Sequence, residues 1–222
     1  MRQTSTAIAG ILLLAACNGT HMAETAPAPA AQEIVQEALE TETESERLNA
    51  WFEQKFQEAA ARSPMMQTYL GIKTDYDKWD DVSDARAFED LEIQRQNIAE
   101  MKSNFDYDKL DDQAKLSWRL AEYEFSREQA AFPYRHHSYT FNQMFGAQSG
   151  IPAFLVNQHR VASLSDAEAY ISRLEGVHDY LGQNVENAKY SVSQGIQPPA
   201  FVYPYVLGDS QGVITGYPFT SD

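Results

Sequence analysis

Cysteine and positive charge are both scarce in this sequence, and each scarcity excludes a class of protein. The single cysteine, Cys17, leaves no partner for an internal disulfide. Lysine and arginine number 17 against 32 aspartates and glutamates, which gives a net charge of −15. Because so acidic a surface repels phosphate backbones, we expect no nucleic acid partner. The 222 residues, 43% of them hydrophobic, are sufficient for one domain with a packed core.

Long apolar runs are also lacking near the N-terminus, where the run from Ala7 to Ala16 is shorter than the roughly 20 residues of a spanning helix. It has the size of a signal-peptide core and follows one positive charge, Arg2. It ends in Leu14-Ala15-Ala16-Cys17, which resembles the bacterial lipobox, whose cysteine thiol accepts a diacylglyceryl group. Residues 1–17 are therefore predicted to be a lipoprotein signal peptide with Cys17 as the lipid anchor. A secretory signal with a chance cysteine is the alternative.

The residues after Cys17 predict a location and a tether. Asn18, where an aspartate would favour the inner membrane, suggests by resemblance an outer-membrane lipoprotein of the cell envelope, facing the periplasm. The lipid bilayer is then a partner through acylated Cys17. Residues 18–45 are rich in Ala, Pro, Glu and Thr and contain no Phe, Tyr or Trp. Such a segment cannot bury enough apolar surface to offset its ordering entropy, so we expect a flexible acidic tether.

Helical periodicity begins at about residue 46 and predicts a mainly α domain over residues 46–222. Ser63, Ser83 and Asp111 each have the position of a helix N-cap, and Pro64 that of a first helical residue. We expect the apolar residues of the helix after Ser83 to face inward, namely Phe88, Leu91, Ile98 and Met101. The clearest helix follows a capping box at Ser165–Glu168, has apolar residues from Ile171 through Leu174 to Ala188, and ends at Gly195.

The C-terminal segment, residues 196–222, has a different composition. Proline and the residue before it avoid helix, so this segment is predicted to be extended or strand-like. Its prolines are Pro198, Pro199, Pro204 and Pro218. Its aromatic residues need a surface to pack against and are expected to be partly exposed; they are Phe201, Tyr203, Tyr205 and Phe219. The predicted fold is thus a helical domain with an extended Pro-rich C-terminal segment.

The stretch from Tyr134 to Arg160, "YRHHSYTFNQMFGAQSGIPAFLVNQHR", holds three of the five histidines. One interpretation places His136, His137, Asn142 and His159 along a substrate groove. The alternative is that these side chains pack and form hydrogen bonds within an irregular connection. A metal site is disfavoured, because adjacent residues rarely point the same way and no ligand spacing fits. No G-x-S-x-G signature of a serine nucleophile occurs, so no catalytic residue is predicted.

Four segments resemble the bacterial lipoprotein family catalogued as domain of unknown function 885. They read "AWFEQKFQEAAARSPMMQTYLGIKTDYDKWDD", "RHHSYTFNQMFGAQSGIPAFLVNQHRV", "DAEAYISRLEG" and "GIQPPAFVYPYV", within residues 48–217. The resemblance implies a larger, predominantly helical, zincin-like metallopeptidase whose H-E-x-x-H zinc motif lies in its C-terminal half. This sequence has no H-E-x-x-H. The resemblance therefore covers the N-terminal half of that family and carries no catalytic residue and no zinc ligand onto this chain.

Two functions are compatible with these observations. The first is the N-terminal, non-catalytic portion of a membrane-anchored lipoprotein that resembles zinc-dependent peptidases. This portion would be an incomplete part of a larger zincin-like fold, inactive alone, and would meet a peptide substrate only together with the missing half. The alternative is a non-enzymatic lipoprotein whose acidic helical domain binds a partner or a peptide. Zinc belongs to the longer family by resemblance, and no cofactor is expected in this chain.

Overall fold

The computed structural model describes residues 42–216. In this range seven α-helices follow one another and no β-strand occurs, which confirms the mainly α class. The helices are α1 (Glu44–Ala61), α2 (Pro64–Tyr69), α3 (Asp84–Asn104), α4 (Asp112–Ala131), α5 (Ala147–Asn157), α6 (Leu164–Ser193) and α7 (Val202–Thr215). Single 3-10 turns at Tyr107–Lys109 and Phe132–Tyr134 flank α4. None of the described helices is both long and apolar enough to cross a membrane.

The predicted helix starts are confirmed where a short polar side chain precedes the helix. The side chains of Ser63, Ser83 and Asp111 each accept a hydrogen bond from a backbone N–H in the first turn, and Pro64 is the first residue of α2. These bonds satisfy N–H groups that have no partner inside the helix. Helix α1 begins at Glu44, so helical structure already starts within the last residues assigned to the tether.

Helix α6 starts earlier than the predicted capping box. Its N-cap is Ser163, whose hydroxyl accepts from the backbone N–H of Asp166, and the first helical residue is Leu164. The box predicted at Ser165–Glu168 is therefore wrong by two residues. The reason is that the carboxylate of Asp166 accepts the backbone N–H of Ala162 and is thereby held back towards the start of the helix. The predicted end is confirmed, since Gly195 has the left-handed conformation that ends many helices (φ 80°).

The extended C-terminal segment is a wrong prediction, because α7 occupies Val202–Thr215. Pro204 is its third residue, where the backbone N–H would have no intrahelical partner, so the proline costs no hydrogen bond. Among the described residues of this segment, only 196–201 and Gly216 are not helical. Phe201, Tyr203 and Tyr205 are exposed, as expected. Pro218 and Phe219 lie outside the described residues, as do Cys17, the signal peptide and most of the tether.

Two interior regions hold the described helices together. An apolar cluster of Leu48, Met101, Leu110, Ala114 and Trp118 lies between α1, α3 and α4. Where α2, α5 and α6 meet, buried polar side chains lie among the apolar Ile151, Phe154 and Leu155, and the guanidinium-bearing Arg173 of α6 is fully buried.

The apolar repeat does not mark the whole buried face of two helices. Helix α6 buries Asp166, Arg173 and Ser191, whereas Ile171 and Leu174, which belong to its apolar repeat, are 56% and 49% exposed. In α3, Met101 is buried as predicted, but Phe88 is about half exposed. Apolar periodicity therefore located both helices correctly and assigned parts of their faces incorrectly.

Candidate functional site

His136 belongs to a charged cluster at the start of α3. Its Nε2 atom lies 2.9 Å from Oδ1 of Asp84, and Arg135 donates to the same carboxylate from Nε at 2.7 Å and Nη2 at 3.1 Å. These hydrogen bonds, that of Arg135 first, lower the pKa of Asp84. Because an ionised carboxylate only accepts, His136 Nε2 carries the proton and Nδ1 is an acceptor. No hydrogen-bond partner for Nδ1 occurs among residues 42–216.

Two cavities adjoin beside this cluster. A polar cavity of about 180 Å³ is lined by Asp84, Arg135 and His136, among others. An apolar cavity of about 120 Å³ lies between the connection that precedes α5, the end of α6 and the start of α7. Ser138, Thr140 and Ser191 line both cavities. We call this pair of adjoining cavities the cleft; one half of it is charged and the other half is apolar.

His136 is fixed in the wall of this cleft by its backbone and by its ring. The hydroxyl of Ser191 donates to the His136 carbonyl at 2.8 Å, which ties the connection to α6. The ring lies 4.5 Å from that of Tyr190. His137, the next residue, is exposed, packs edge-on against Tyr134 and lines neither cavity. Of the adjacent histidines, only His136 faces the cleft.

Asn142 shapes the turn that leads into α5. Its Oδ1 accepts the backbone N–H groups of Met144 at 2.9 Å and Phe145 at 2.8 Å. Its carbonyl accepts Nε2 of Gln148 at 2.7 Å. Gly146 completes the turn, because a Cβ atom there would collide with the Gln148 side chain and the Asn142 backbone. Both the side chain and the backbone carbonyl of Asn142 therefore stabilise this turn.

A groove of about 750 Å³ opens between this turn and α7. Its lining includes Gly208 and Gly212 of α7, one helical turn apart, Gly216 directly after α7, and the apolar Met144, Pro152 and Val213. Large apolar side chains on the same helices and turn are left in solvent: Phe145 and Ile214 are each 85% exposed, and Val156 is 76% exposed. Within residues 42–216 Asp209 is the one charged residue that lines the groove.

His159 lies in the interior and contacts neither the cleft nor the groove. It is 5% exposed and stacks on Tyr76 at 4.1 Å between ring centroids. Its Nε2 lies 2.9 Å from the carbonyl of Asp166, and its Nδ1 lies 3.0 Å from Nη1 of Arg173. Because guanidinium only donates, Nδ1 accepts and the ring is the neutral Nε2–H tautomer. Burial lowers the pKa of His159, in keeping with this tautomer.

Arg173 contacts most of the side chains of this interior, and it was not identified from the sequence. Its Nη2 donates to Oγ1 of Thr68 at 2.7 Å, and its Nε donates to the carbonyl of Lys78 at 3.0 Å. The guanidinium also lies over the rings of Tyr76, Trp79 and Phe154, at 5.1, 5.9 and 5.0 Å from their centroids. No carboxylate of residues 42–216 pairs with it, so the charge is compensated by dipoles and ring faces.

A periodic signal for this buried face does exist in the sequence. Asp166, Arg173, Tyr180 and Asn187 recur every seven residues, which places them on one side of α6. Trp79 binds the same side, since its Nε1 donates to the Arg173 carbonyl at 2.8 Å and its ring stacks on Tyr180. The signal was missed because three of these four residues are polar and periodicity was counted for apolar residues.

The described residues do not suit the zinc ion that the resemblance implies. No group of three or more His, Cys, Asp or Glu side chains within residues 42–216 is arranged to hold a metal. His136 and His159 have different neighbours, since the first contacts Asp84 and Tyr190 and the second contacts Tyr76, Tyr170 and Arg173. The four predicted groove residues thus lie in different places. His136 is in the wall of the cleft and His137 is exposed, whereas Asn142 forms a turn and His159 is buried.

Comparison with known proteins gives one family. The family described as "Bacterial protein of unknown function (DUF885)" matches residues 64–222, which is well over half of the chain. No curated protein matches the chain, and no solved structure matches it either.

Proposed function

This chain belongs to the bacterial DUF885 family, and we propose that it is a cell-envelope lipoprotein whose helical domain is the non-catalytic part of a peptidase-like protein. Cys17 carries the lipid and anchors the domain to the outer membrane on its periplasmic side. The domain alone hydrolyses no peptide. Its task is to bind, through the groove between α5 and α7, the catalytic part of such a protein together with its peptide substrate.

The exposed apolar surface around this groove is the observation that supports the proposal. Single exposed apolar residues are ordinary on protein surfaces, whereas several of them on the elements around one groove favour an interaction site. Here Phe145, Val156 and Ile214, each more than three-quarters exposed, belong to the turn and the two helices that form the groove. The glycines on α7 also let another backbone approach closely, because they carry no side chain.

A second function is favoured by the charge of the groove. Asp209 lines it, and the whole chain carries a net charge of −15. A non-enzymatic domain that binds a basic peptide or a basic partner would use the same surface, because opposite charge accelerates association and selects the partner. The two functions differ in what occupies the groove.

The occupant is tested with the purified full chain and a matched pair of variants. Val213→Asp places a charge in the groove, whereas Leu120→Asp places one on a half-exposed apolar site of α4. Binding is measured to the H-E-x-x-H-containing part of a longer family member and, separately, to basic peptides. We expect Val213→Asp to weaken binding of the catalytic part at least about tenfold and Leu120→Asp to leave it unchanged. Binding of basic peptides alone supports the second function, and equal behaviour of both variants excludes the groove.

The anchor is tested separately. Cys17→Ser removes the thiol that acylation requires, so we expect the protein to leave the membrane fraction and to incorporate no labelled palmitate. The comparison protein is the unsubstituted chain, expressed and fractionated in parallel. A wild-type chain without acyl mass, or a variant that stays with the membrane to the same extent, would contradict the lipoprotein assignment.

A further inference from the structure

The cleft beside His136 is separate from the α5–α7 groove, so neither a catalytic part nor a peptide bound in that groove would use it. Its two halves differ sharply in chemistry yet share Ser138, Thr140 and Ser191 in their walls. We propose that this cleft is a binding site for a small monocarboxylate with one compact apolar body, such as an aromatic ring or a branched aliphatic chain. The proposal rests on the cleft alone and is independent of the function assigned to the groove.

The apolar half sets the size of the ligand body. Its volume of about 120 Å³ is lined by aliphatic side chains of α6 and α7, namely Ala188, Val192, Val202 and Val206, by Ile196 between them, and by aromatic residues that include Phe141. An apolar cavity of about 150 Å³ accommodates benzene. The volume here is of the same order, so the ligand body we propose is one ring or one short branched chain.

The polar half favours an anion. Arg135 uses three of its five N–H groups, two on Asp84 and one on the Phe132 carbonyl, so two remain for a ligand. The first turn of α3, which lines the same cavity, adds partial positive charge. A cationic ligand is less favoured, because the Asp84 carboxylate already accepts three hydrogen bonds from Arg135 and His136.

His136 fixes the charged half of the site. Its Nε2 and the Arg135 guanidinium both bind the Asp84 carboxylate, so the ring holds Asp84 in place beside the two remaining N–H groups of Arg135. Loss of this ring should therefore weaken the binding of a carboxylate.

Titration calorimetry of the full chain with three probes of one shape tests the ligand class. The probes are benzoate, benzyl alcohol and benzylamine, which share the ring and differ in the polar group. We expect saturable binding of benzoate and at least about tenfold weaker binding of the other two. Equal binding of benzoate and benzyl alcohol would show that the polar half recognises no carboxylate, and no benzoate binding up to millimolar concentration would overturn the proposal.

Three variants test the position of the site. His136→Asn removes the ring that lines the polar half and should weaken benzoate binding about tenfold. His137→Asn is the matched control, because the neighbouring histidine lines neither cavity, and it should bind as the wild type does. Val206→Phe fills the apolar half and should abolish binding while circular dichroism shows an unchanged fold. Benzoate binding that survives both His136→Asn and Val206→Phe would place the ligand elsewhere and refute the site.

Discussion

Leu48 and Met101 lie at the centre of the region formed by α1, α3 and α4, whereas Arg173 lies at the centre where α2, α5 and α6 meet. All three side chains are fully buried. The first pair is held by non-directional apolar contacts, which other side chains of similar volume can reproduce. Arg173 is held by directional hydrogen bonds that a substitution cannot easily replace. Two parts of one helical domain thus bury side chains to the same degree, one through apolar contacts and the other through directional hydrogen bonds.

Arg173→Met should lower the free energy of unfolding more than any other substitution in this comparison. Methionine fills much of the volume but leaves the hydroxyl of Thr68, the carbonyl of Lys78 and Nδ1 of His159 without their donor. At about 1–3 kcal/mol for each unpaired buried group, we expect a loss of roughly 4 kcal/mol or more in the free energy of unfolding. Urea unfolding of the full chain, followed by circular dichroism, measures this loss.

Two further variants sharpen the result for Arg173. Arg173→Lys keeps the charge but lacks the planar set of donors, so it should be destabilising too. The control is Arg95→Met, which removes an exposed guanidinium paired with Glu92 and should change stability by less than about 0.5 kcal/mol. A loss under about 1 kcal/mol for Arg173→Met would show that the hydrogen bonds of this interior are dispensable.

Met101→Ala should have the next largest effect. Truncation of a fully buried methionine loses apolar contact and leaves a cavity, which costs about 3 kcal/mol. Met101→Leu conserves the volume and should cost less than about 1.5 kcal/mol. Leu120→Ala, at a half-exposed site, serves as the control in the same urea experiment. The two regions differ as proposed if Met101→Leu is tolerated and Arg173→Lys is destabilising. Equal losses in the free energy of unfolding for these two variants would show that the regions do not differ.

A smaller effect concerns the dependence of stability on pH. Burial lowers the pKa of His159 below its ordinary 6.5, so the folded state keeps the ring neutral where the unfolded chain takes up a proton. The unfolded state then binds more protons below pH 6.5, and stability present above that pH is lost as the pH falls towards the folded pKa. We expect the free energy of unfolding to decrease with acidification from pH 7.5 to 5.5.

The variants for this measurement are His159→Gln and His178→Gln. The first should be less stable at every pH but should show a smaller slope between pH 7.5 and 5.5, because it has no imidazole to protonate on unfolding. The second removes a side chain that is 94% exposed and should keep the wild-type slope. The pH dependence due to His159 can be separated from that due to Asp166. The hydrogen bond from Lys73 is the main cause that lowers the pKa of Asp166 to about 2, so the stability that Asp166 contributes is lost only in stronger acid. An unchanged slope in His159→Gln would contradict the neutral buried ring.

The sequence predicted the parts of the fold that depend on local chemistry. The caps at Ser63, Ser83 and Asp111 and the helix end at Gly195 were predictable, because each involves residues within one turn of the helix terminus. Helix α7 was not, since the cost of a proline depends on which helical position it occupies, and Pro204 falls in the first turn.

The candidate site was harder to predict than the helices. The sequence singled out the stretch with three histidines, but the surroundings of His136 and His159 depend on residues far along the chain, Asp84 for the first and Arg173 for the second. For the same reason, the apolar repeat of α6 does not mark its buried residues. Whether Ile171 or Arg173 faces inward is decided by the partners that Thr68, Lys78 and Trp79 offer, and no local pattern contains that information.

The position of Arg173 along the chain also sets an order of folding. Thr68 and Lys78, which receive its hydrogen bonds, precede it by 105 and 95 residues. The apolar cluster, by contrast, lies entirely between residues 48 and 118 and is complete long before Arg173 has been synthesised. Since chains tend to fold from the N-terminus as they are made, we expect α1, α3 and α4 to gain protection from hydrogen exchange first. Until α6 arrives, Trp79 and Tyr76 remain uncovered, and a protease or chaperone that meets the unfinished chain would act there.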